Sequence, residues 1–207
     1  MEPANPSCRD DRASLRIGQP MKLVAAVLLF TATVVSAQDT SFSRLHLRAG
    51  AMRLPVTGHI GDDWRPGTGA QAEAASNVGP GELALGFGRI GWEPTSGKPS
   101  FSTMFFSLAW TADVVRSSRA GMSVGARLSD VFMNFNDVAQ VIGLRHEEEM
   151  MISAVGRGHL SIGRGFDAFA EATYGSFRLS TKTPLASVTL GVGRDMAMPG
   201  WLRGILR

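Results

Sequence analysis

The stretch Phe101-Ser102-Thr103-Met104-Phe105-Phe106-Ser107-Leu108-Ala109-Trp110-Thr111-Ala112-Asp113-Val114-Val115 decides the fold. Met104, Phe106, Leu108, Trp110, Ala112 and Val114 share one parity, while Thr103, Phe105, Ser107, Ala109, Thr111 and Asp113 share the other. A period of two is the spacing of a strand whose faces meet different surroundings. The pattern returns on both sides. Met122, Val124, Ala126 and Leu128 oppose Ser123, Gly125, Arg127 and Ser129. Ala186, Val188, Leu190 and Val192 oppose Ser187, Thr189, Gly191 and Gly193, and Leu45, Leu47, Ala49 and Ala51 oppose Arg44, His46 and Arg48.

Eight such segments are expected, at 43–53, 81–92, 101–115, 121–133, 138–145, 150–162, 165–178 and 185–195. Turn-forming runs such as Glu93-Pro94-Thr95-Ser96-Gly97 and Gly163-Arg164-Gly165 separate most of them. The expected fold class is therefore all-β: a single antiparallel up-and-down β-barrel of about eight strands. The longest stretch without strand signal runs from Pro55 to Pro80 and is read as a surface loop carrying Trp64, the candidate for partner contact. A short strand or plug is the other reading of that stretch.

The chain of 207 residues, 44% hydrophobic, suffices for one domain with a core. A net charge of +3 without a basic cluster excludes nucleic acid as a partner. Residues 1–20 are a polar leader, and Met21 looks like the true start. Lys22, the apolar run Leu23–Val35 and the small-residue site Val35-Ser36-Ala37 give a cleavable signal peptide over 21–37. The only cysteine, Cys8, precedes that site, so the mature chain offers neither a disulfide nor a thiolate for a metal. No cofactor is expected. The barrel domain is placed at 38–198 and an amphipathic tail at 199–207.

Alternation alone does not say which face meets water. Three features favour a transmembrane barrel of the outer-membrane type, apolar outward and polar inward. The more polar faces are built from small residues, as in Ala84, Gly86 and Gly88 opposite Leu83, Leu85 and Phe87. Lysine after the signal is limited to Lys98 and Lys182. With strands alternating in direction from a periplasmic amino terminus, Trp92, Phe101, Phe132 and Phe166 are expected at one end, joined by Trp201, as an interface girdle.

A cleavable signal, about 170 mature residues and eight alternating segments resemble the small outer-membrane β-barrels of OmpA/OmpX type. Phe166-Asp167-Ala168-Phe169-Ala170-Glu171-Ala172-Thr173-Tyr174-Gly175 is similar to penultimate strands of that superfamily. The resemblance implies a place in the cell outer membrane, with outer-membrane lipid and the outer-membrane assembly machinery as partners. Such barrels commonly end on an aromatic residue; this chain instead continues through Met198-Pro199-Gly200-Trp201-Leu202-Arg203.

Inner-face parity gathers Arg44, His46, Arg48, Asp113, Arg127, Arg157, His159, Asp167 and Glu171. Charges of both signs in a lumen only wide enough for side chains are expected to pair and close it. The role expected is structural or surface-interacting, not enzymatic. One alternative rests on His159, Ser161 and Glu171, whose His-x-Ser spacing resembles the lipid A deacylase family. In that family the site faces the membrane, whereas parity here turns His159 and Ser161 inward. A soluble periplasmic barrel binding an apolar ligand is the other alternative. Glu147-Glu148-Glu149 beside His146 reads as a solvated loop tip.

Overall fold

The computed structural model describes residues 41–95, 97–136, 146–177 and 183–206. The expected leader and signal peptide lie outside them, as does the segment 138–145. The elements are β1 (Arg44–Val56), α1 (Ile60–Asp63), β2 (Trp64–Pro66), β3 (Gly69–Val78), β4 (Gly81–Pro94) and β5 (Phe101–Arg116). They continue with β6 (Ala120–Phe135), β7 (His146–Gly163), β8 (Phe166–Phe177), β9 (Pro184–Ala197) and α2 (Gly200–Ile205). No helix among the described residues is long and apolar enough to cross a membrane.

Every pairing is antiparallel, in the order β4-β3-β1-β9-β8-β7-β6-β5, and β5 returns to β4 to close an eight-stranded barrel. β2 is not a ninth stave. It carries on the lane of β3 along β4, pairing Trp64 with Pro94 and Pro66 with Trp92. Both ends of the barrel chain, Arg44 and Ala197, pair at the end that carries the short turns 79–80, 117–119 and 164–165. The last of these is a two-residue turn in which Arg164 (φ 54°) and Gly165 (φ 77°) are both left-handed, as a hairpin twisted like its strands requires. The longer connections, among them 57–63 and the described residues 95 and 97–100, belong to the opposite end.

Two strand assignments from sequence need correction. The stretch 55–80 is not a loop: it contains β2 and the whole of β3. Its Trp64 is half-buried, donating from Nε1 to the Pro99 carbonyl at 2.9 Å and meeting Phe101 edge-on at 5.4 Å. Glu147, Glu148 and Glu149 belong to β7, so Glu148 faces away from Glu147 and Glu149 and the three do not converge. β6 pairs directly with β7.

The outward face is apolar. Leu85, Phe106, Leu108, Val124, Leu128, Ile152, Leu160, Leu190 and Val192 are all exposed there. The inward face holds Gln71, Glu73, Ser107, Thr111, Arg127, Ser129, Ser153, Arg157, Glu171 and Thr189, all buried. This inverts the polarity of a water-soluble barrel and matches a sheet closed in lipid. The interior apolar cluster sits toward the long-loop end, where Met52, Leu54, Ile90, Trp92, Phe101, Val131, Met133 and Phe177 pack together.

Candidate functional site

Below that apolar plug, strands from all round the barrel aim charges at one another. Arg48 comes from β1, Glu73 from β3, Glu82 from β4, Arg127 from β6, Arg157 from β7 and Glu171 from β8. Arg157 donates to Glu171 Oε2 at 2.5 Å, to Glu73 Oε1 at 2.6 Å and to Glu82 Oε1 at 3.1 Å. Arg127 bridges Glu73 at 2.9 Å and Glu171 at 2.8 Å. Arg48 joins Glu82 at 2.6 Å and Glu73 at 2.9 Å, and Gln71 Nε2 donates to Glu171 at 3.1 Å. Three guanidinium groups thus face three carboxylates. An ion taken out of water costs several kcal/mol unless paired and hydrogen-bonded, and here each has at least two partners. The arrangement ties six strands together and fills the waist of the lumen.

Toward the short-turn end the network opens into a vestibule. His46 faces Glu82 through Nδ1 at 2.7 Å and Asp195 through Nε2 at 3.0 Å, and Arg44 also pairs with Asp195 at 2.7 Å. Beyond lies a cavity of about 620 Å³ whose lining includes His46, Arg116, His159, Ser161, Asp167 and Asp195. Asp113, at its rim, pairs with Arg116 at 3.7 Å. Among the described residues no group of three or more His, Cys, Asp or Glu side chains is arranged to hold a metal ion.

The sequence-derived lumen residues therefore divide. Arg48, Arg127, Arg157 and Glu171 meet in the central network, Arg44 and His46 in the chain above the vestibule, and Asp113 and Asp167 line the vestibule itself. Glu73, Glu82, Gln71 and Asp195 were missed. Their signal was present as parity: Glu82 shares the face of Ala84 and Gly86, and Glu73 alternates with Ala72 and Ala74.

The three residues of the deacylase-like alternative are not assembled. Glu171 is fully buried against Arg127 and Arg157, and its strand partner is Arg157, whereas His159 lies opposite Phe169 and Ser161 opposite Asp167. The His159 ring lies over Gly121, where any added Cβ would collide with it. Both His159 and Ser161 line the vestibule and not the lipid-facing surface.

The expected aromatic girdle also needs correction. Trp92 and Phe101 point inward, 4% and 3% exposed, with rings stacked 5.3 Å apart and the Trp92 Nε1 donating to Thr103 Oγ1 at 2.8 Å. Phe132 is on the outward face near the long-loop end, edge-on to Phe106. Phe166 and Trp201 lie at the opposite, short-turn end, Phe166 beneath the Arg194 guanidinium at 5.2 Å and Trp201 71% exposed on α2. The reason is topological: missing β3 inverts the apparent direction of β4, β5 and β6, so their ends exchange.

These features define a class: an eight-stranded antiparallel β-barrel of the outer-membrane type, apolar outside and charged within. Solved structures similar to it include Neisserial surface protein A, with 13% identity and a TM-score of 0.51, covering 73% of this chain and 96% of that one. Another is Ail, the attachment invasion locus protein of Yersinia pestis, in complex with the heparin analogue sucrose octasulfate, with 10% identity, a TM-score of 0.50 and coverage of 74% and 99%. A third is a major outer membrane protein from Thermus thermophilus, with 10% identity, a TM-score of 0.50 and coverage of 74% and 99%. At such identities the likeness speaks for the fold. No protein-family model and no curated protein matches the sequence.

Proposed function

We propose that this chain is an exported integral outer-membrane protein with a structural or surface-interaction role, its short turns and both barrel termini in the periplasm. The observation that carries the reading is the inverted polarity of a closed barrel: exposed Leu85, Phe106, Ile152 and Leu190 outside, buried Arg127, Arg157 and Glu171 inside. Export rests on the signal-like residues 21–37. The ion-paired waist and the apolar cluster above it support a lumen filled by side chains, which argues against a diffusion pore. The surface offered to partners is the long-loop end, where Lys98 pairs with Asp63 and lies 4.9 Å over the Trp64 ring.

The test is fractionation of cells expressing the full chain, followed by electrophoresis with and without boiling. The protein is expected in the outer-membrane fraction, with a mobility that shifts on boiling as the closed barrel opens. A soluble protein with one mobility under both conditions contradicts the proposal.

A further inference from the structure

Going up the outward face from the short-turn end, β1 reads Leu45, Leu47, Ala49, Ala51 and then Arg53. β4 reads Leu83, Leu85, Phe87 and then Arg89, and Arg65 stands on β2 in the lane between them. All three arginines are exposed, and none has an ion-pair or hydrogen-bond partner among the described residues. They are the first basic residues above the apolar band on adjacent lanes of the sheet. Between Arg53 and Arg89 lie only small residues, Arg53 standing two residues higher, whereas Arg65 is opposite the exposed Glu93. Ala51 pairs with Ala70, which pairs with Arg89. With lanes about 4.8 Å apart and an arginine reaching several ångströms, Arg53 and Arg89 can close on one anionic group from two sides.

Directly below this cluster the outward face is grooved. Ala72 and Ala74 form the floor and Leu47, Leu85 and Phe87 the sides of a shallow, open apolar depression of about 470 Å³. The register aligns the two features: Ala70 lies opposite Arg89, Ala72 opposite Phe87 and Ala74 opposite Leu85. From Arg89 to Leu85 the groove descends about 13 Å along the strand.

We propose that β1, β2, β3 and β4 form a site for one phosphorylated outer-leaflet lipid, with phosphate held by Arg53 and Arg89, Arg65 above them, and an acyl chain in the alanine-floored groove. Guanidinium is the side chain suited to phosphate, binding it through paired N–H donors. The groove continues the apolar band, and its charged cap sits where a headgroup begins. This deepens the proposed function and rests on the barrel lying in a membrane.

The full chain is reconstituted into phosphatidylcholine vesicles, with insertion read from the heat-shifted band. The inserted protein is then offered phosphorylated diglucosamine lipid or its dephosphorylated counterpart in mixed micelles, and retained lipid is counted by native mass spectrometry. Wild-type protein is expected to retain the phosphorylated form about tenfold better, which corresponds to about 1.4 kcal/mol. Arg53→Gln with Arg89→Gln removes that preference. Arg119→Gln with Arg164→Gln, in the short turns at the other end, preserves it. Ala72→Phe fills the groove and lowers retention of both lipids. Equal retention of the two lipids by wild type, or an unchanged preference in the Arg53→Gln/Arg89→Gln variant, overturns the lipid site alone. Failure to insert at all overturns the membrane reading and the site with it.

Discussion

Glu171 has no exposed side-chain surface, and its two oxygens are divided between Arg127 and Arg157, with Gln71 as a third donor. Removing its charge leaves two guanidinium groups short of a partner in a closed lumen. The Glu171→Gln variant is expected to lose about 3–5 kcal/mol, the usual cost of stranding one side of a buried pair. Urea titration of the folded, heat-shifted band in micelles measures it. Ser153→Ala, a small neutral change on the same inward face, should stay within about 1 kcal/mol. Equal midpoints for the two variants would contradict a network that holds the barrel together. At this scale the sequence was informative about direction and poor about partners. Strand parity turned Arg48, Arg127, Arg157 and Glu171 inward, because a side chain's face follows from counting by two. Which carboxylates they meet depends on register between strands far apart in the chain, and no local pattern carries that.

β3 is the element that sequence reading lost. Its outward residues are Ala70, Ala72 and Ala74, so the alternation with Gln71, Glu73 and Ala75 has almost no hydrophobic contrast, and alanine is a poor strand former. Its neighbours hold it in place through pairings on both sides, to β1 and to β4. The loss had consequences further along. Missing β3 inverted β4, β5 and β6, and counting 138–145 as a strand restored the direction of β7 and β8, although β6 pairs directly with β7. Trp92 and Phe101 were therefore expected beside Phe166 and in fact lie at the other end. β6, by contrast, was legible because Met122, Val124 and Leu128 contrast sharply with Ser123, Arg127 and Ser129. Its outward face supplies a test at the scale of the strand. Ala126→Arg places a charge within the apolar band and is expected to cost about 2–4 kcal/mol of folding stability in lipid vesicles. The same variant costing nothing would mean that the outward face of β6 meets water.

The molecule as a whole is organised in three levels from one end to the other: the apolar plug of Trp92, Phe101 and their neighbours, the arginine–glutamate waist, and the vestibule that opens among the short turns. Outside, the apolar surface girdles the waist and the vestibule, with Arg53 and Arg89 at its upper limit, level with the plug, and the Phe166–Arg194 pair near its lower one. The fold class was legible because alternation, small inward residues and scarce lysine all pointed the same way. The apolar plug was not foreseen, although Trp92 shares the parity of Ala84, Gly86 and Gly88, and Phe101 that of Thr103 and Ser107. All of this depends on the apolar face of the barrel meeting lipid. Because the sole cysteine, Cys8, precedes the expected cleavage site, single cysteines can be introduced into the mature chain at each position from 105 to 110 and spin-labelled in vesicles. Collisions with dissolved oxygen should then alternate along β5, high at 106, 108 and 110 and low at 105, 107 and 109, with a water-soluble nickel reagent reaching none of the outward labels. Outward labels that the nickel reagent reaches as freely as it reaches an exposed loop would contradict the account.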